Sequence, residues 1–184
     1  MKQHIIPALR LTLVCIVCFM LLYPLLIWLI AQVAPAKGEG ETVNVNGKVV
    51  GYALEGQSFT KDNYFQGRPS AVNYNAAGSA GSNKGPSNPY YLKDVQNRID
   101  VFLAHNPGVK KEDIPSELVT ASGSGLDPDI SIAAAKVQVK RIATARHLDT
   151  QKLFSLIDQH TENSIAGIKK INVLQLNIAL DKLQ

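Results

Sequence analysis

The hydrophobic pattern of the chain is dominated by one apolar run near its start, Leu11 to Ala34, which contains no charged residue. At about 1.5 Å of rise per residue, a helix of this length covers roughly 36 Å, more than the ~30 Å of a bilayer's hydrocarbon core. Pro24 lacks a backbone N–H and predicts a bend in the middle of the run. We therefore predict a transmembrane helix over 11–34, between an N-terminal segment, 1–10, and a polar linker, 35–41.

A cleaved secretory signal is the alternative interpretation of this run. Ala34-Pro35-Ala36 has the small-x-small pattern of a cleavage site, and Lys2 and Arg10 would form the charged leading region. However, the run is much longer than the about 7–15 residues of a signal core, and Pro35 makes a poor extended substrate. The sequence therefore favours a retained anchor.

The charges that flank the run predict its orientation. Lys2 and Arg10 lie on the leading side, whereas the trailing segment 37–41 carries one lysine against two glutamates. Because Lys and Arg near a span remain on the cytoplasmic side, we expect a cytoplasmic N-terminus. Residues 42–184 would then form a domain on the outer side, in the periplasm or its equivalent.

The rest of the chain alternates between strand, loop and helix patterns, which predicts an α+β or α/β fold in one compact domain. Asn46-Gly47 favours the positive φ angles of a tight hairpin turn. Residues 57–88, rich in Gly, Ser, Asn and Ala, predict a long loop, and loops of that length are usually functional or disordered. The predicted strands are Thr42–Val45, Val49–Leu54, Leu118–Ala121 and Ile171–Leu174, and the predicted helices are Pro89 to about Asn106, Ile130–His147, Gln151–His160 with Thr150 as its cap, and Leu174–Leu183.

Composition and charge exclude several classes of function. The formal net charge is +4, but Lys2 and Arg10 belong to the anchor segment and leave +2 for the domain, so a nucleic-acid partner is not expected. Cys15 and Cys18 both lie in the span, where thiols stay protonated, and no disulfide supports the domain. The four histidines lack metal-ligand spacing, and no Ser-centred nucleophile elbow is present. We therefore predict no catalytic residue, no metal and no cofactor of the chain's own.

Three blocks carry the most distinctive residues: 64–75, 78–88 and 118–128. Arg68, placed between Gly67 and Pro69 in the first block, is predicted to form an ion pair with Asp127 and to fasten the loop to the third block. Ser122-Gly123-Ser124-Gly125 could form a backbone nest for an anion at the N-terminus of the helix expected from Ile130. A tight turn is the commoner use of such a sequence.

Together with the apolar run and the tail Asn172–Asn177, these blocks resemble the C subunit of bacterial Kdp potassium-transporting P-type ATPases over essentially the whole chain. Ala80 and Asp129 stand where glycine and histidine are typical of that family. The candidate subunit-interface residues in these motifs are Phe65, Gly67, Arg68, Pro69, Tyr74, Asn75, Ser82, Asn83, Asp127 and Arg141.

The resemblance implies a non-catalytic accessory subunit of a high-affinity potassium import complex. In that family the A subunit translocates potassium, the B subunit hydrolyses ATP, and a small F subunit accompanies them. The C subunit assembles the complex and acts as a catalytic chaperone that raises the ATP affinity of the B subunit. ATP and potassium would thus act through partner subunits.

The residues themselves agree with an accessory role and argue against direct ATP contact. The predicted orientation puts the domain on the side without ATP, and Gly78 to Lys84 lacks the glycine that precedes the lysine of a Walker loop. The leading hypothesis is that the anchor packs against the translocating subunit and the domain covers its outer mouth, with the long loop contributing hydrogen bonds. The alternative is a stand-alone membrane-anchored periplasmic protein that binds an anion or a peptide at 122–125.

Overall fold

The computed structural model describes residues 2–34, 36–163 and 167–183, so the central proline of the cleavage-like pattern, Pro35, lies outside the described residues. The chain divides into two compact units, Met1–Glu41 and Thr42–Gln184. The predicted fold class is confirmed, because an N-terminal apolar helix is followed by a domain that mixes helices with small sheets.

The first unit contains one long helix that changes its winding in the middle. Helix α1 (Lys2–Ile16) continues through a π-helical segment, Val17–Leu22, into α2 (Tyr23–Val33). Pro24 follows that segment; since a proline removes a donor and crowds the carbonyl four residues earlier, a widened turn accommodates it. The stretch Gln3–Val33, 31 residues, is long and apolar enough to cross a bilayer and fits the predicted anchor.

The second unit begins with a β-hairpin. Strands β1 (Thr42–Val45) and β2 (Lys48–Tyr52) pair antiparallel around Asn46-Gly47, whose φ angles of 51° and 76° confirm the predicted tight turn. The predicted second strand was two residues too long at its end, because residues 53–54 already form a turn. The predicted loop 57–88 is irregular apart from a 3₁₀ turn at Ala76–Gly78.

The remaining elements form a helical layer around a three-stranded antiparallel sheet of order β3-β5-β4. Its strands are β3 (Asp129–Ile130), β4 (Glu162–Asn163) and β5 (Lys169–Asn172), and its helices are α3 (Pro89–His105), α4 (Ile132–Lys136), α5 (Val139–Arg146), α6 (Thr150–Gln159) and α7 (Val173–Asp181). Asn88 begins α3 as predicted, because its side chain accepts the N–H groups of Tyr90 and Tyr91.

The core lies where α4 to α7 meet the sheet and the loop residue Phe65. Leu153, Leu156 and Ile157 point inward from α6 at helical spacing. Burying each such side chain contributes about 2 kcal/mol. The largest fully buried apolar side chains are Phe65, Ile130, Val139, Ile142, Leu153, Ile157, Ile171, Leu176 and Leu180.

The predicted strand Leu118–Ala121 is wrong. The segment forms a 3₁₀ turn, Ser116–Leu118, directly after Pro115. Both the backbone N–H and the hydroxyl of Thr120 donate to the Ser116 carbonyl, at 2.9 and 2.8 Å. Because the backbone curls back on itself, this apolar segment is buried without pairing as a strand.

The single helix predicted over Ile130–His147 is also wrong. Ile130 pairs with Ile171 in the sheet, and α4 begins two residues later with Ser131 as its cap. The helix then breaks before α5, because Gln138 Nε2 donates to the Ala134 carbonyl at 2.9 Å and thereby takes the acceptor that a continuous helix gives to the Gln138 N–H. That N–H bonds to Ala135 instead.

Smaller corrections concern the ends of the last elements. Asp149, not Thr150, caps α6, because its carboxylate accepts the Gln151 N–H at 2.8 Å. The last strand runs over Lys169–Asn172 rather than from Ile171 to Leu174. The side chain of Asn172 accepts the Gln175 N–H and so starts α7 one residue earlier than predicted.

Candidate functional site

The first block is held in the domain by two buried side-chain amides. Asn177 accepts the Phe65 N–H through Oδ1 and donates from Nδ2 to the Phe65 carbonyl, both at 2.9 Å. Gln138 binds the backbone of Gln66 in the same way, since it accepts the Gln66 N–H at 2.8 Å and donates to the Gln66 carbonyl at 3.1 Å. Each amide therefore replaces a strand partner, and it satisfies the backbone polar groups of the fully buried Phe65 and the half-buried Gln66.

Arg141 is the centre of a second buried network. Its guanidinium donates to Gln138 Oε1 at 2.7 Å, to Asn106 Oδ1 at 3.0 Å and to the Asp62 carbonyl at 2.7 Å. Its side chain is only 3% exposed, and burial lowers the pKa of the guanidinium, an effect that the Asp62 carboxylate partly offsets. Arg141 thus orients the amide that holds Gln66, which is an internal positioning role.

Arg146 fastens the start of the first block to the last helix. It donates to the Asn63 carbonyl and to Asp181, at 2.7 and 2.6 Å. Its guanidinium also lies 4.7 Å from the centre of the Tyr64 ring, a cation–π contact, and the Tyr64 hydroxyl donates to the same Asp181. The N-terminal end of the block is therefore fixed by packing and charge together.

The predicted ion pair between Arg68 and Asp127 is confirmed. Arg68 Nη1 lies 2.9 Å from Asp127 Oδ2, and both side chains remain partly exposed, at 25% and 30%. The Tyr74 hydroxyl donates to the Arg68 carbonyl, and burial raises the pKa of that hydroxyl. Asp127 also accepts the Asp129 N–H at 3.0 Å. The pair fastens the long loop to the third block, as the sequence indicated.

The first and second blocks both lie against the third. The Ser79 hydroxyl donates to the Ser124 carbonyl at 2.9 Å, and the Ser122 N–H donates to the Pro69 carbonyl at 3.1 Å. Gly125 has φ of +70°, and a Cβ there would lie 2.6 Å from Val72 Cγ2 and 2.8 Å from the Ala80 carbonyl oxygen. Only glycine fits this crossing of three segments without strain.

The helix that follows Ser122–Gly125 starts at Ile132 rather than at the expected Ile130, and a short strand, β3, comes between them. Anion binding at Ser122–Gly125 stays a prediction. Helix α4 starts at Ile132, and the Ser131 hydroxyl already accepts the Ala134 N–H at 3.1 Å. Within the turn, Ser124 Oγ accepts the Leu126 N–H at 3.0 Å. The segment is a bend that is closed by the Ser124 side chain.

The candidate interface residues therefore separate into two groups, one at the fastened loop and one of exposed residues, Asn75, Ser82 and Asn83. Phe65, Gly67, Arg68, Pro69, Tyr74, Asp127 and Arg141 lie in or around the fastened loop. Asn75 caps the short 3₁₀ turn by accepting the Ala77 N–H. Ser82 and Asn83 are exposed, and Asn83 has φ of +53°. A role of these residues in subunit contact stays a prediction.

Buried amides were the site residues that sequence reasoning missed. Asn177 and Gln138 hold the first block, Asn106 orients Arg141, and Asn172 donates to the Ala53 carbonyl at 2.7 Å. The available signal was an amide inside an otherwise apolar helical stripe, as with Asn177 between Leu176 and Leu180.

Two surface depressions flank the fastened loop. A groove of about 380 Å³ lies between the hairpin and α7 and is lined mainly by apolar side chains such as Val50, Phe59 and Leu174. A cleft of about 480 Å³ lies between α3 and the loop and includes Arg98 and His105. Within residues 2–34, 36–163 and 167–183, His, Cys, Asp and Glu side chains form no group of three that could hold a metal ion.

Comparison with known proteins gives one family for the whole chain. The profile of the family described as K+-transporting ATPase, c chain (KdpC), matches residues 5–182. A protein of Flavobacterium johnsoniae named potassium-transporting ATPase KdpC subunit is 56% identical over 182 residues, covering 99% of this chain and 100% of the relative. Proteins of the same name from Bacteroides fragilis and Caldanaerobacter subterraneus are 50% and 42% identical, covering 99% and 98% of this chain and 98% and 95% of those relatives. The chain belongs to the family of K+-transporting ATPase c chains.

Proposed function

We propose that the chain stabilises the assembly of a potassium-importing ATPase and raises the ATP affinity of the subunit that hydrolyses ATP. The observation that carries this proposal is the family match over residues 5–182, which includes the apolar helix as well as the domain. A relative of the same length carries the name of a subunit of the potassium-transporting ATPase. The chain supplies binding and positioning, and the chemistry belongs to its partners.

The internal hydrogen bonding of the domain supports a scaffold role. The amides of Asn177 and Gln138 bind the backbone of the first block, and Arg68 of that block pairs with Asp127 of the third. These contacts all lie within the same domain. A loop that is held before a partner arrives loses little conformational entropy on docking. Such a domain is suited to offer a fixed surface to other subunits.

The proposed topology is a single-pass anchor with a cytoplasmic N-terminus and a periplasmic domain at the inner membrane. The flanking charges support this orientation through the positive-inside rule. ATP is then on the opposite side from the domain, so any effect on ATP affinity passes through the membrane-embedded neighbours. The proposed partners are the A, B and F subunits of the complex, and ATP and potassium bind to those partners.

Purification of the complex with and without this chain tests the proposal. We expect the complex that lacks the chain to fall apart in detergent and to lose potassium-stimulated ATPase activity, and co-expression of the wild-type chain to restore both. An intact and fully active pump without the chain would contradict the proposal.

The alternative, a stand-alone membrane-anchored binding protein, predicts a different result in the same preparation. The chain would then elute alone and monodisperse after mild solubilisation and would bind an anion such as phosphate saturably. Co-elution with ATPase subunits in fixed stoichiometry would exclude this alternative.

A further inference from the structure

The β-hairpin differs from the rest of the domain in how little of it is buried. Of its apolar residues only Val43 and Val45 are partly buried, whereas Val49 is 59% exposed and Tyr52 is 42% exposed. Leu54, just after β2, is 72% exposed. A two-stranded hairpin is only marginally stable alone, and exposed apolar side chains often mark an interaction site. The exposed side chains therefore indicate that another surface covers the hairpin.

A β-bulge places the exposed apolar residues on one face. Thr42 pairs with Tyr52 and Asn44 pairs with Val49, while the register shifts between Val43 and Asn44 and leaves Val50 as the extra residue. Residues two apart on a strand share a face, and directly paired residues share it as well. Val49 and Tyr52 are three apart and would point to opposite faces without the bulge, but with it they lie together.

The composition of this outer face is that of a protein interface. Its members are Thr42, Asn44, Val49 and Tyr52, and the Asn44 amide donates to the Thr42 hydroxyl at 3.5 Å. It therefore has an apolar centre with an aromatic ring and polar uncharged neighbours. The cores of protein interfaces have the same character, because they are depleted of charge and enriched in tyrosine. We call these four residues the hairpin face.

The charge around the hairpin face favours a protein over a lipid surface. The segment 39–55 carries three glutamates and one lysine. Surfaces that bind anionic bilayers combine apolar side chains with an excess of Lys and Arg, which this segment lacks.

The position of the hairpin in the chain points to one class of protein partner. It is the first element after the apolar helix, and the eight residues that separate Val33 from Thr42 span at most about 30 Å when extended. A hairpin that follows an inserted anchor at that distance remains near the bilayer surface, where the outward-facing parts of membrane-embedded subunits lie.

We infer that the hairpin face docks on an uncharged, outward-facing surface of a membrane-embedded subunit of the ATPase. This inference rests on the proposed function and names the contact surface that it needs. We therefore expect the principal contact with the partner subunit at the hairpin rather than at the long loop, because the first block of that loop is fastened internally. The bilayer and a second copy of the chain are the other two occupants that the test must distinguish.

Site-specific photocrosslinking in intact membranes tests the inference. A benzophenone amino acid replaces Tyr52 in one full-length variant and Tyr90 in a matched control, because Tyr90 is 75% exposed on α3, outside the hairpin. We expect position 52 to give an adduct that mass spectrometry identifies as a membrane-embedded ATPase subunit, with a much higher yield than position 90, because benzophenone reacts only with groups that it contacts directly.

The other outcomes overturn either the surface or the proposed function, and they can be told apart. Adducts from position 52 with lipid alone, or with a second copy of the chain, would overturn the inference. So would an equal or greater yield of subunit adduct from position 90. In each of these cases co-purification of the ATPase subunits with the unmodified chain leaves the proposed function intact. If the unmodified chain retains no ATPase subunit, the proposed function itself fails.

A second variant checks that the contact depends on the hairpin face. With the crosslinker at Leu54, the double substitution Val49→Thr and Tyr52→Thr keeps strand propensity and removes apolar area. We expect the yield of the subunit adduct to fall about tenfold. Tyr90→Thr with Val101→Thr changes two exposed residues on α3 and is the control that should leave the yield unchanged. An equal yield from the double hairpin variant would refute the docking surface.

Discussion

Replacing Asn177 by leucine tests how the domain holds its first block. The two side chains have similar volume, so the packing of α7 is retained while both hydrogen bonds to Phe65 are lost. Phe65 is fully buried, and the Phe65 N–H and carbonyl are then left without partners in an environment that water does not reach.

The magnitude follows from the number of orphaned groups. Leaving one buried polar group unsatisfied costs about 1–3 kcal/mol, so two such groups at Phe65 predict a loss of about 3–4 kcal/mol in the free energy of unfolding. A matched control is Gln175→Leu, since Gln175 is an exposed amide on the same helix. Its substitution should change the free energy by about 0.5 kcal/mol or less.

Urea unfolding of the detergent-solubilised chain measures both variants. Near-ultraviolet circular dichroism reports the domain, since five of the six tyrosines lie after residue 41. Hydrogen exchange adds a local readout, because the Phe65 amide should exchange faster in the Asn177 variant and at the wild-type rate in the control. A loss below about 1 kcal/mol with an unchanged Phe65 amide would refute the view that this side chain holds the loop.

Three further predictions concern the contacts between the blocks, each measured by the same unfolding assay. Gly125→Ala should cost about 2–3 kcal/mol, because a Cβ there combines a strained φ with two close contacts, whereas Gly85→Ala, with open space around it, should cost about 0.5 kcal/mol or less; equal losses would count against the close approach. Arg68→Met and Asp127→Asn in a double-mutant cycle should show a coupling of about 0.5–1 kcal/mol, since the pair is partly exposed, and a coupling above about 3 kcal/mol would mean that solvent does not screen it. Tyr74→Phe removes the hydrogen bond to Arg68 and should cost about 1 kcal/mol at neutral pH. Burial raises the pKa of the folded Tyr74 above its ordinary 10.0, so the stability from the protonated hydroxyl is fully present below pH 10 and is lost as the pH rises. The difference in free energy of unfolding between wild type and variant should therefore narrow above pH 10. A difference that stays constant with pH would contradict the assignment.

Local signals in the sequence were sufficient wherever a short segment determines its own structure. Asn46-Gly47 predicts the hairpin turn because both positions need positive φ, and both have it. Asn88-Pro89 predicts the start of α3 because the cap and the proline act within one turn. One contact between distant blocks was also predicted, the pairing of Arg68 with Asp127, from the charges of the two residues and their positions in the motifs.

Structure that depends on distant partners was not predictable in this way. The break between α4 and α5 follows from the Gln138 side chain, which bonds to Gln66, 72 residues away, and helix propensity contains no such information. The strand Asp129–Ile130 has only two residues and exists because β5 lies beside it. The role of Asn177 likewise depends on a loop 112 residues earlier in the chain.

The measurement that tests the central claim most directly is the location of the C-terminal domain in whole cells. An alkaline phosphatase fused after Gln184 is active only when it is exported. If the domain is periplasmic and acts on ATP use through membrane-embedded neighbours, the fusion should show high phosphatase activity. A green fluorescent protein fused after Gln184 instead, and exported in the same way, should not fluoresce. A dark phosphatase and a bright fluorescent protein would place the domain in the cytosol and would make direct contact with ATP the better explanation.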